Sequence, residues 1–240
     1  MTDWTAADLP SFAGRTVIVT GANSGLGEVT ARELAGVGAK VILAVRNTAK
    51  GDAAAAGMSG DVEVRKLDLQ DLASIRAFAD GVDAVDVLVN NAGIMAVPYA
   101  QTVDGFESQV GTNHLGHFAL TNLLFTSELQ HRLDAAGSTV RAVAAHPGYS
   151  ATNLQGHAAS RFSSAVLQVG NKLATDADFG ARQTLYAVAN DVPGNSFIGP
   201  RFGVRGSTGE SPRSPLANSA STARALWDQS EQLTDVRYPL

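Results

Sequence analysis

The chain has 240 residues, of which 45% are hydrophobic and 17% charged, and these proportions predict a single globular domain over residues 1–240. A formal net charge of −5 without a run of basic residues argues against nucleic acid and acidic membranes as partners, and the absence of cysteine excludes disulfides, thiolate metal sites and a cysteine nucleophile. No signal-like leader or apolar run of membrane-spanning length is evident, so we expect a cytoplasmic protein with no membrane span.

The first recognisable element is a β-branched run, Thr16–Thr20, which breaks into a glycine-rich turn and then into apolar residues at helical spacing. The turn contains Gly21, Gly25 and Gly27. Glycine adopts positive φ without strain and lets the backbone approach a ligand, while the N–H groups at a helix start attract phosphate. The stretch predicts a strand–turn–helix connection, either an ordinary one or one that binds phosphate, since a short glycine motif alone is a weak signal.

Strands and helices then alternate as far as residue 89. Such alternation indicates parallel strands joined by right-handed crossovers, and nearly unbroken apolar strands indicate burial on both faces. We therefore predict an α/β fold with a doubly wound, Rossmann-like parallel sheet. The predicted strands are Lys40–Val45, Val62–Leu67 and Val85–Val89, and the predicted helices between them are Ala53–Ala56 and Ser74–Ala79.

A long helix is predicted over Asn113–Asp134, followed by a strand over Val140–Ala145. Because apolar residues leave this helix little polar face, we expect it to pack against the sheet and to form the interface of a homodimer. The fourth strand, this helix and the Val140–Ala145 strand would make a right-handed crossover within one sheet. The remaining predictions are a mobile small-residue segment over Gly156–Leu173, a helix over Ala177–Asn190, a strand over Ser196–Ile198, a surface loop over Gly199–Pro215 and a helix over Thr222–Gln232.

Four short motifs follow one another along the chain, at Thr20–Gly27, Asn90–Gly93, Asn113–Phe118 and Pro147–Thr152. They resemble, in this order, the TGxxxGxG cofactor turn, the NNAG element, the start of the active-site helix and the nicotinamide loop of the short-chain dehydrogenase/reductase family. The residues around them are most similar to its retinol-dehydrogenase-like branch. The resemblance implies an oxidoreductase that interconverts ketone or aldehyde and alcohol groups of a small-molecule substrate with a nicotinamide cofactor.

The resemblance also implies cofactor contacts at the carboxyl ends of the strands, where open α/β sheets form crevices. Asp68, with Leu69 beside it, takes the place of the adenine contact, although an Asp before a helix is equally typical of an N-cap. For Asn90, Ala92 and Gly93, which follow the fourth strand, the alternative to a cofactor contact is a plain turn. The other implied contacts are Gly21, Asn23, Ser24, Gly25, Leu26, Gly27, Asn90, Ala92, Gly93, Pro147, Gly148 and Thr152.

The end of the second strand favours NADP as the cofactor. An NAD-preferring site places a carboxylate about 20 residues after the glycine turn, whereas an arginine there favours the 2′-phosphate of NADP. Arg46 stands at this position with no Asp or Glu beside it, and it can form a charge-assisted hydrogen bond with that phosphate. The alternative is a solvated surface arginine.

The number and spacing of the histidines do not indicate a metal site. His114 and His117 are three residues apart on a predicted helix, but zinc needs three or four ligands, and the chain offers neither a cysteine nor a third histidine at suitable spacing. We interpret both as structural residues. We interpret His146 as a residue that shapes the turn before Pro147 and Gly148.

Asn113 is the one residue that we can place in the family's catalytic relay. The resemblance implies a tyrosine that exchanges a proton with the substrate oxygen, a lysine four residues later that lowers its pKa, a serine on the preceding strand and an asparagine. The lysine matters because a tyrosine with an unperturbed pKa near 10 is a poor base at neutral pH. No lysine stands four residues after any of the tyrosines at positions 99, 149, 186 and 238.

The interval between the motifs at Asn113 and Pro147 holds one helix and one strand, whereas the family has an additional strand with the serine and a helix with the tyrosine and lysine. Leu120–Leu124 resembles the middle of the family's first helix and Asn122–Leu129 the latter half of the next, so about one βα unit is missing. Three hypotheses remain: an impaired NADP-dependent oxidoreductase, a catalytically silent dinucleotide-binding or interaction protein, and an internally shortened form of an ordinary reductase.

Overall fold

The first half of the chain folds into a parallel sheet between helices. The computed structural model describes residues 3–120, 126–150, 175–213 and 219–238. Four strands pair in the order β3-β2-β1-β4, and every pairing is parallel. The predicted doubly wound α/β fold is therefore confirmed. The strands are β1 (Thr16–Thr20), β2 (Lys40–Val45), β3 (Asp61–Lys66) and β4 (Val87–Val89).

The two central strands, β1 and β2, are buried because helices cover both faces of the sheet. Val17 and Leu43 belong to the core on one face, where α1 packs. Ile18 lies beside Ile42 and Leu88 in the register and belongs to the core on the other face, which α3 covers. This two-sided burial explains why the apolar runs predicted β1 and β2 with their observed bounds.

Side-chain caps decide where the second and third helices begin. Asn47 accepts a hydrogen bond from the Lys50 N–H at 3.0 Å, so the second helix starts five residues before the predicted Ala53–Ala56. Asp71 accepts from the N–H groups of Ala73 and Ser74 and caps the third helix. The helices are α1 (Gly25–Gly36), α2 (Thr48–Ala55) and α3 (Leu72–Asp80).

The helix predicted to begin at Asn113 begins earlier, because the Glu107 carboxylate accepts from the first N–H groups of the helix and caps it. It includes a π-helical stretch in which a Cβ on Gly116 would overlap the Leu69 carbonyl oxygen, so glycine lets the helix approach the end of β3. Residues 121–125, in the middle of the prediction, lie outside the described residues. The helices are α4 (Ser108–Val110, Gly111–Gly116 and His117–Leu120) and α5 (Thr126–Ala135).

The last helix, α7 (Ala220–Thr234), packs against α4 and α5. Trp227 and Phe118 are fully buried and meet edge to face with their ring centroids 5.5 Å apart. The Arg132 guanidinium lies 4.5 Å from the centroid of the Trp227 ring. Part of the described apolar helix surface that predicted a second subunit, at Phe118 and Leu129, is thus covered by the chain's own C-terminal helix.

A second, smaller sheet follows, in the order β5-β6-β7. The predicted crossover from β4 into a strand over Val140–Ala145 within one sheet is wrong for the described residues, since β5 pairs with β6 and not with β4. The Ala142 N–H donates to Gln130 Oε1 at 2.8 Å instead of to a strand. β7 is antiparallel and lies inside the predicted surface loop Gly199–Pro215. The strands are β5 (Ala144–Ala145), β6 (Phe197–Pro200) and β7 (Thr208–Glu210).

Helix α6 (Ala177–Ala189) joins the two sheets because it packs on α1 and against all three strands of the second sheet. The approach is closest at Gly180, where a Cβ would lie 2.5 Å from Leu26 Cδ2 and 2.6 Å from Ser150 Oγ. The buried Gln183 accepts a hydrogen bond from Thr208 Oγ1 at 2.7 Å. The predicted segment Gly156–Leu173 lies outside the described residues.

Candidate cofactor site

The turn between β1 and α1 requires glycine at two positions. Gly21 and Gly25 have φ of +65° and +60°, in the left-handed region that side chains disfavour. A Cβ on Gly21 would also lie 2.9 Å from the Ala92 Cα. Ser24 occupies the N-cap of α1 without a side-chain bond to the helix, which leaves the first N–H groups of α1 available to a ligand.

Gly27 has a different role from the other two glycines. A Cβ at this position would lie 2.8 Å from the carbonyl oxygen of Gly21, so glycine lets α1 pack directly on its own turn. Gly27 is not among the residues that line the cleft described next. The structure thus assigns Gly27 to the packing of the turn, whereas the resemblance placed it against the cofactor.

A cleft of about 450 Å³ opens at the carboxyl ends of β1, β2 and β4, within the range of small-molecule sites. This is the edge where parallel α/β sheets bind dinucleotides. The structure brings ten of the implied cofactor residues together there: Gly21, Asn23, Ser24, Gly25, Leu26, Arg46, Asp68, Leu69, Ala92 and Gly93. Residues that the sequence did not single out also line it: Ala44, Asn47, Lys50, Leu67, Gln70, Asn91, Ile94 and Thr112.

The end of β2 is the basic side of the cleft. Arg46 and Lys50 both line it, and Asn47, which stands between them, uses its side-chain oxygen to cap α2. Lys66 Nζ donates to the Arg46 carbonyl at 2.6 Å and holds that backbone in place. Asp68, which follows the neighbouring strand β3, is the one carboxylate among the described lining residues.

Asp68 follows β3 but does not cap α3, so the N-cap alternative is wrong and Asp71 takes that role. The Asp68 carboxylate accepts from the Gln70 N–H at 3.0 Å, and the Asp68 N–H donates to Ser74 Oγ at 3.0 Å. These bonds fix the backbone after β3 while Asp68 lines the cleft. The arrangement is compatible with a contact to the adenine part of a cofactor.

The turn after β4 forms the opposite wall of the cleft. The side-chain amide of Asn91 donates to the Thr20 carbonyl at 2.9 Å and ties this turn to the end of β1. Asn91, Ala92 and Gly93 line the cleft, whereas Asn90 does not. The sequence singled out Asn90 and not Asn91, and the contact of Asn90 with a cofactor stays a prediction.

Asn113 holds the same wall from behind. Its Nδ2 donates to the Ile94 carbonyl and its Oδ1 accepts from the Ile94 N–H, both at 2.8 Å. Thr112, and not Asn113, lines the cleft. With both amide atoms bound to the backbone of Ile94, the Asn113 side chain fixes the position of the loop.

His114 and His117 are buried and hydrogen-bonded to protein groups. His114 Nε2 lies 2.8 Å from Ser230 Oγ, and His117 Nε2 lies 3.0 Å from Thr20 Oγ1. Burial lowers the pKa of His117 to about 4 and also lowers that of His114. His146 stacks on Phe197, and its Nδ1 accepts from the Gly148 N–H at 3.4 Å. Among the described residues, no group of His, Asp or Glu could hold a metal ion.

We expect the free energy of unfolding to fall by about 3 kcal/mol as the pH falls from about 6.5 to about 4, because a shift of one pKa unit is worth about 1.36 kcal/mol. In this window the unfolded chain takes up a proton on His117, and the folded chain, in which this pKa is lowered to about 4, does not. Urea unfolding at pH 7 and pH 4.5 measures the loss, and His117→Gln removes the titrating group. Equal losses in both proteins would contradict this assignment.

The loop implied to close on the nicotinamide lies away from the cleft lining. Pro147 and Gly148 are not among the lining residues. Gly148 has φ of +70°, and a Cβ there would lie 2.6 Å from the Val204 carbonyl oxygen, so this loop packs on the β6–β7 turn. Thr152 lies outside the described residues.

None of the four tyrosines lines the cleft in the described structure. Tyr99 is 76% exposed, and the Tyr186 ring packs edge to face on Trp4 at 5.5 Å. The Tyr238 hydroxyl donates to the Phe118 carbonyl, and burial raises its pKa, which is the wrong direction for a base at neutral pH.

Known proteins resemble the chain over nearly its whole length. The sequence pattern of short chain dehydrogenases matches residues 15–131. Retinol dehydrogenase 13 of Homo sapiens is 36% identical over 298 aligned positions, which cover 95% of this chain and 87% of that protein. The crystal structure of an uncharacterised protein from Mycobacterium Paratuberculosis is 56% identical, with a TM-score of 0.88 over 100% of both chains. A structure from Agrobacterium Tumefaciens with bound NADP is 26% identical, with a TM-score of 0.54 over 79% of this chain and 95% of that one.

The fold, the glycine turn and the cleft at the strand ends define an α/β protein of the dinucleotide-binding class. The chain belongs to the short-chain dehydrogenase family, which is a family of oxidoreductases. The predicted resemblance to its retinol-dehydrogenase-like branch is confirmed by the relatives, which include retinol dehydrogenases 12 and 13. The alignment with retinol dehydrogenase 13 is longer than the 240-residue chain, so that relative has residues without a counterpart here.

No helix among the described residues is long and apolar enough to cross a membrane.

Proposed function

We propose that the chain is an NADP(H)-binding oxidoreductase for ketone or aldehyde and alcohol groups whose hydride transfer is impaired. The observation that carries the cofactor choice is the basic side of the cleft, where Arg46 and Lys50 lie with Asn47 between them. A phosphate on the 2′-oxygen of the ribose would meet two cations there. The 2′-hydroxyl of NAD would find no carboxylate among the described residues at the end of β2.

Three details support NADP over NAD. The Lys66 ammonium fixes the Arg46 carbonyl, so the backbone that carries the arginine is anchored. The carboxylate of Asp68 belongs to the end of β3 and accepts from the Gln70 N–H, and β2 itself has no acidic residue next to Arg46 in the sequence. The relative from Agrobacterium Tumefaciens, which shares the fold, binds NADP.

Arg46→Asp is expected to weaken NADP binding about 10- to 100-fold and to abolish or invert the preference over NAD. A hydrogen bond to a charged group is worth about 1.5–3 kcal/mol, and about 1.4 kcal/mol is a tenfold change in affinity. The new carboxylate would repel the phosphate and accept from the 2′-hydroxyl of NAD. Calorimetric titration of wild type and variant with both cofactors measures the change.

Arg201→Asp is a matched control for this experiment. It makes the same change of charge in the exposed β6–β7 turn, and Arg201 does not line the cleft. The control should retain the wild-type dissociation constants for both cofactors. Equal affinities of the wild-type protein for NADP and NAD, or tighter binding of NAD, would overturn the choice of NADP.

The impairment is inferred from the missing relay. In the family, the tyrosine, lysine and serine lie between the motifs that correspond to Asn113 and Pro147, and the chain has no Tyr-x-x-x-Lys pair anywhere. The side-chain amide of Asn113 is hydrogen-bonded to the backbone of Ile94, so Asn113 does not replace the missing tyrosine as a proton donor. We infer that the chain binds the cofactor but lacks the group that protonates the developing alkoxide.

A catalytically silent dinucleotide-binding or interaction protein is the alternative, which rests on the same absence and which the oxidoreductase relatives do not favour. The third hypothesis, an internally shortened reductase, is supported by the length of the alignment with retinol dehydrogenase 13. The encoding DNA across Leu120–Phe125 distinguishes the last two, since a continuous natural reading frame there argues against a shortened product.

The homodimer and the cytoplasmic location remain predictions from the sequence. The covering of Phe118 by α7 removes part of the surface on which the dimer was predicted.

A further inference from the structure

The Thr20 hydroxyl lies at the centre of a buried cluster of polar groups behind the cleft. Its oxygen is 2.9 Å from the backbone nitrogen of Asn91 and 2.9 Å from that of Ala92. On its other side lies His117 Nε2, at 3.0 Å. Thr20 is fully buried and His117 is 4% exposed, so water does not substitute for these partners.

The direction of each hydrogen bond follows from the chemistry of the groups. His117 Nδ1 lies 3.3 Å from the Asn113 carbonyl oxygen, which can only accept, so Nδ1 carries the ring hydrogen. In the neutral imidazole Nε2 is then an acceptor, and the Thr20 hydroxyl donates to it. Both lone pairs of the Thr20 oxygen are left for the N–H groups of Asn91 and Ala92.

A different orientation of the hydroxyl is less favourable. Its other acceptor is the Val89 carbonyl oxygen, which is 3.5 Å away, at the limit of a hydrogen bond, and already accepts from the Asn91 N–H at 3.0 Å. Burial lowers the pKa of His117 and so maintains the neutral ring that this arrangement needs. Its neighbour His114, one turn away on α4, acts in the same direction.

We propose that His117 is a positioning residue for the cofactor cleft, because it takes the Thr20 hydroxyl hydrogen and thereby commits that oxygen to the backbone N–H groups of Asn91 and Ala92. These two residues form the wall after β4. The role of His117 in the dinucleotide site rests on the proposed function, whereas its role in holding the turn does not. A side chain on α4 thus sets the shape of a cleft that it does not line.

Hydrogen exchange of the Asn91 and Ala92 amides, measured by NMR without cofactor, tests the proposal directly. His117→Leu removes the acceptor and should accelerate exchange of these two amides about 10-fold or more relative to the amides of β2. Thr20→Val should have the same effect, because it keeps the shape of threonine without the hydroxyl. Thr20→Ser keeps the hydroxyl and should restore the wild-type rates.

His114→Leu is the matched control. It removes another buried imidazole from the same helix, but His114 is hydrogen-bonded to Ser230 on α7 and not to the cleft wall. This variant should leave the relative exchange rates of Asn91 and Ala92 unchanged. If His117→Leu affected these amides no more than His114→Leu, or if Thr20→Val left them protected, the proposal would be overturned.

The affinity for NADPH, measured by fluorescence titration of the same proteins, connects the turn to the site. We expect His117→Leu and Thr20→Val to weaken binding about 10-fold and Thr20→Ser to bind like wild type. Absence of NADPH binding by the wild-type protein would overturn the proposed function, while the exchange rates would still decide the role of His117.

Discussion

Mixed with NADPH and a panel of aldehydes and ketones, the protein is expected to oxidise the cofactor at least 100-fold more slowly than an ordinary enzyme, whose turnover number is about 1–10³ per second. Hydride transfer to a carbonyl leaves an alkoxide that must be protonated as it forms. Loss of a positioned general acid costs about 10²–10⁴-fold in rate. The decrease in NADPH absorbance measures the turnover.

The missing serine adds to this loss. If it acts like an oxyanion-hole donor, its absence costs a further 2.7–4 kcal/mol or about 10²–10³-fold. Binding of NADPH, measured separately by calorimetry, should persist because the residues that line the cleft are present. The combination of retained binding and very slow turnover distinguishes a missing relay from a collapsed site.

Asn113→Ala is the control for the residual rate. It removes the two hydrogen bonds to the backbone of Ile94 and should weaken NADPH binding. It should not abolish the slow residual turnover, because that turnover does not depend on a catalytic relay. Turnover near ordinary values in the wild-type protein would mean that another general acid exists.

Trp227→Ala is expected to reduce the free energy of unfolding by about 3–5 kcal/mol, the usual cost of truncating a buried Trp. The indole is fully buried against Phe118 and Tyr238, and the Arg132 guanidinium lies over its ring. Truncation would leave a cavity between α4 and α7 and remove a cation–π contact. Urea unfolding followed by circular dichroism measures the loss.

Leu226→Ala provides the comparison on the same helix. Leu226 adjoins Trp227 but is 39% exposed, so its truncation should cost less than half as much. Trp227→Phe, which keeps an aromatic ring, should retain part of the stability. A loss below about 1 kcal/mol for Trp227→Ala would mean that α7 contributes little to the fold.

The sequence predicted β1 and β2 well because they are continuous apolar runs whose burial needs no knowledge of the rest of the chain. The second sheet was harder to predict from the sequence. β7 consists of Thr208, Gly209 and Glu210, which have the composition of a loop, and it is a strand because it pairs with β6. The predicted strand from Val140 shortens to two residues because Gln130 on α5 takes the amide of Ala142. These outcomes depend on contacts between distant segments.

The residues that line the cleft also fall into two groups, those that the sequence predicts and those that depend on contacts between distant segments. Arg46, Gly21 and Gly25 follow β1 and β2 closely, so spacing along the chain was enough to place them at the cleft. Gln70 and Thr112 reach the cleft from different elements and are linked by a side-chain hydrogen bond at 2.9 Å. Neither belongs to a motif, and only the packing of α4 against the end of β3 brings them together. The contact between His117 and Thr20, 97 residues apart, had no sequence signal for the same reason.

Every described residue that lines the cleft comes before residue 113 in the chain. The ribosome therefore makes all of the described lining residues before it makes the second sheet, α6 or α7, and the N-terminal part of a chain generally folds first during synthesis. A dinucleotide that binds this early part stabilises it by mass action while the remainder is still being translated. The gain or loss of a segment after residue 120 therefore removes none of the described residues that line the cleft.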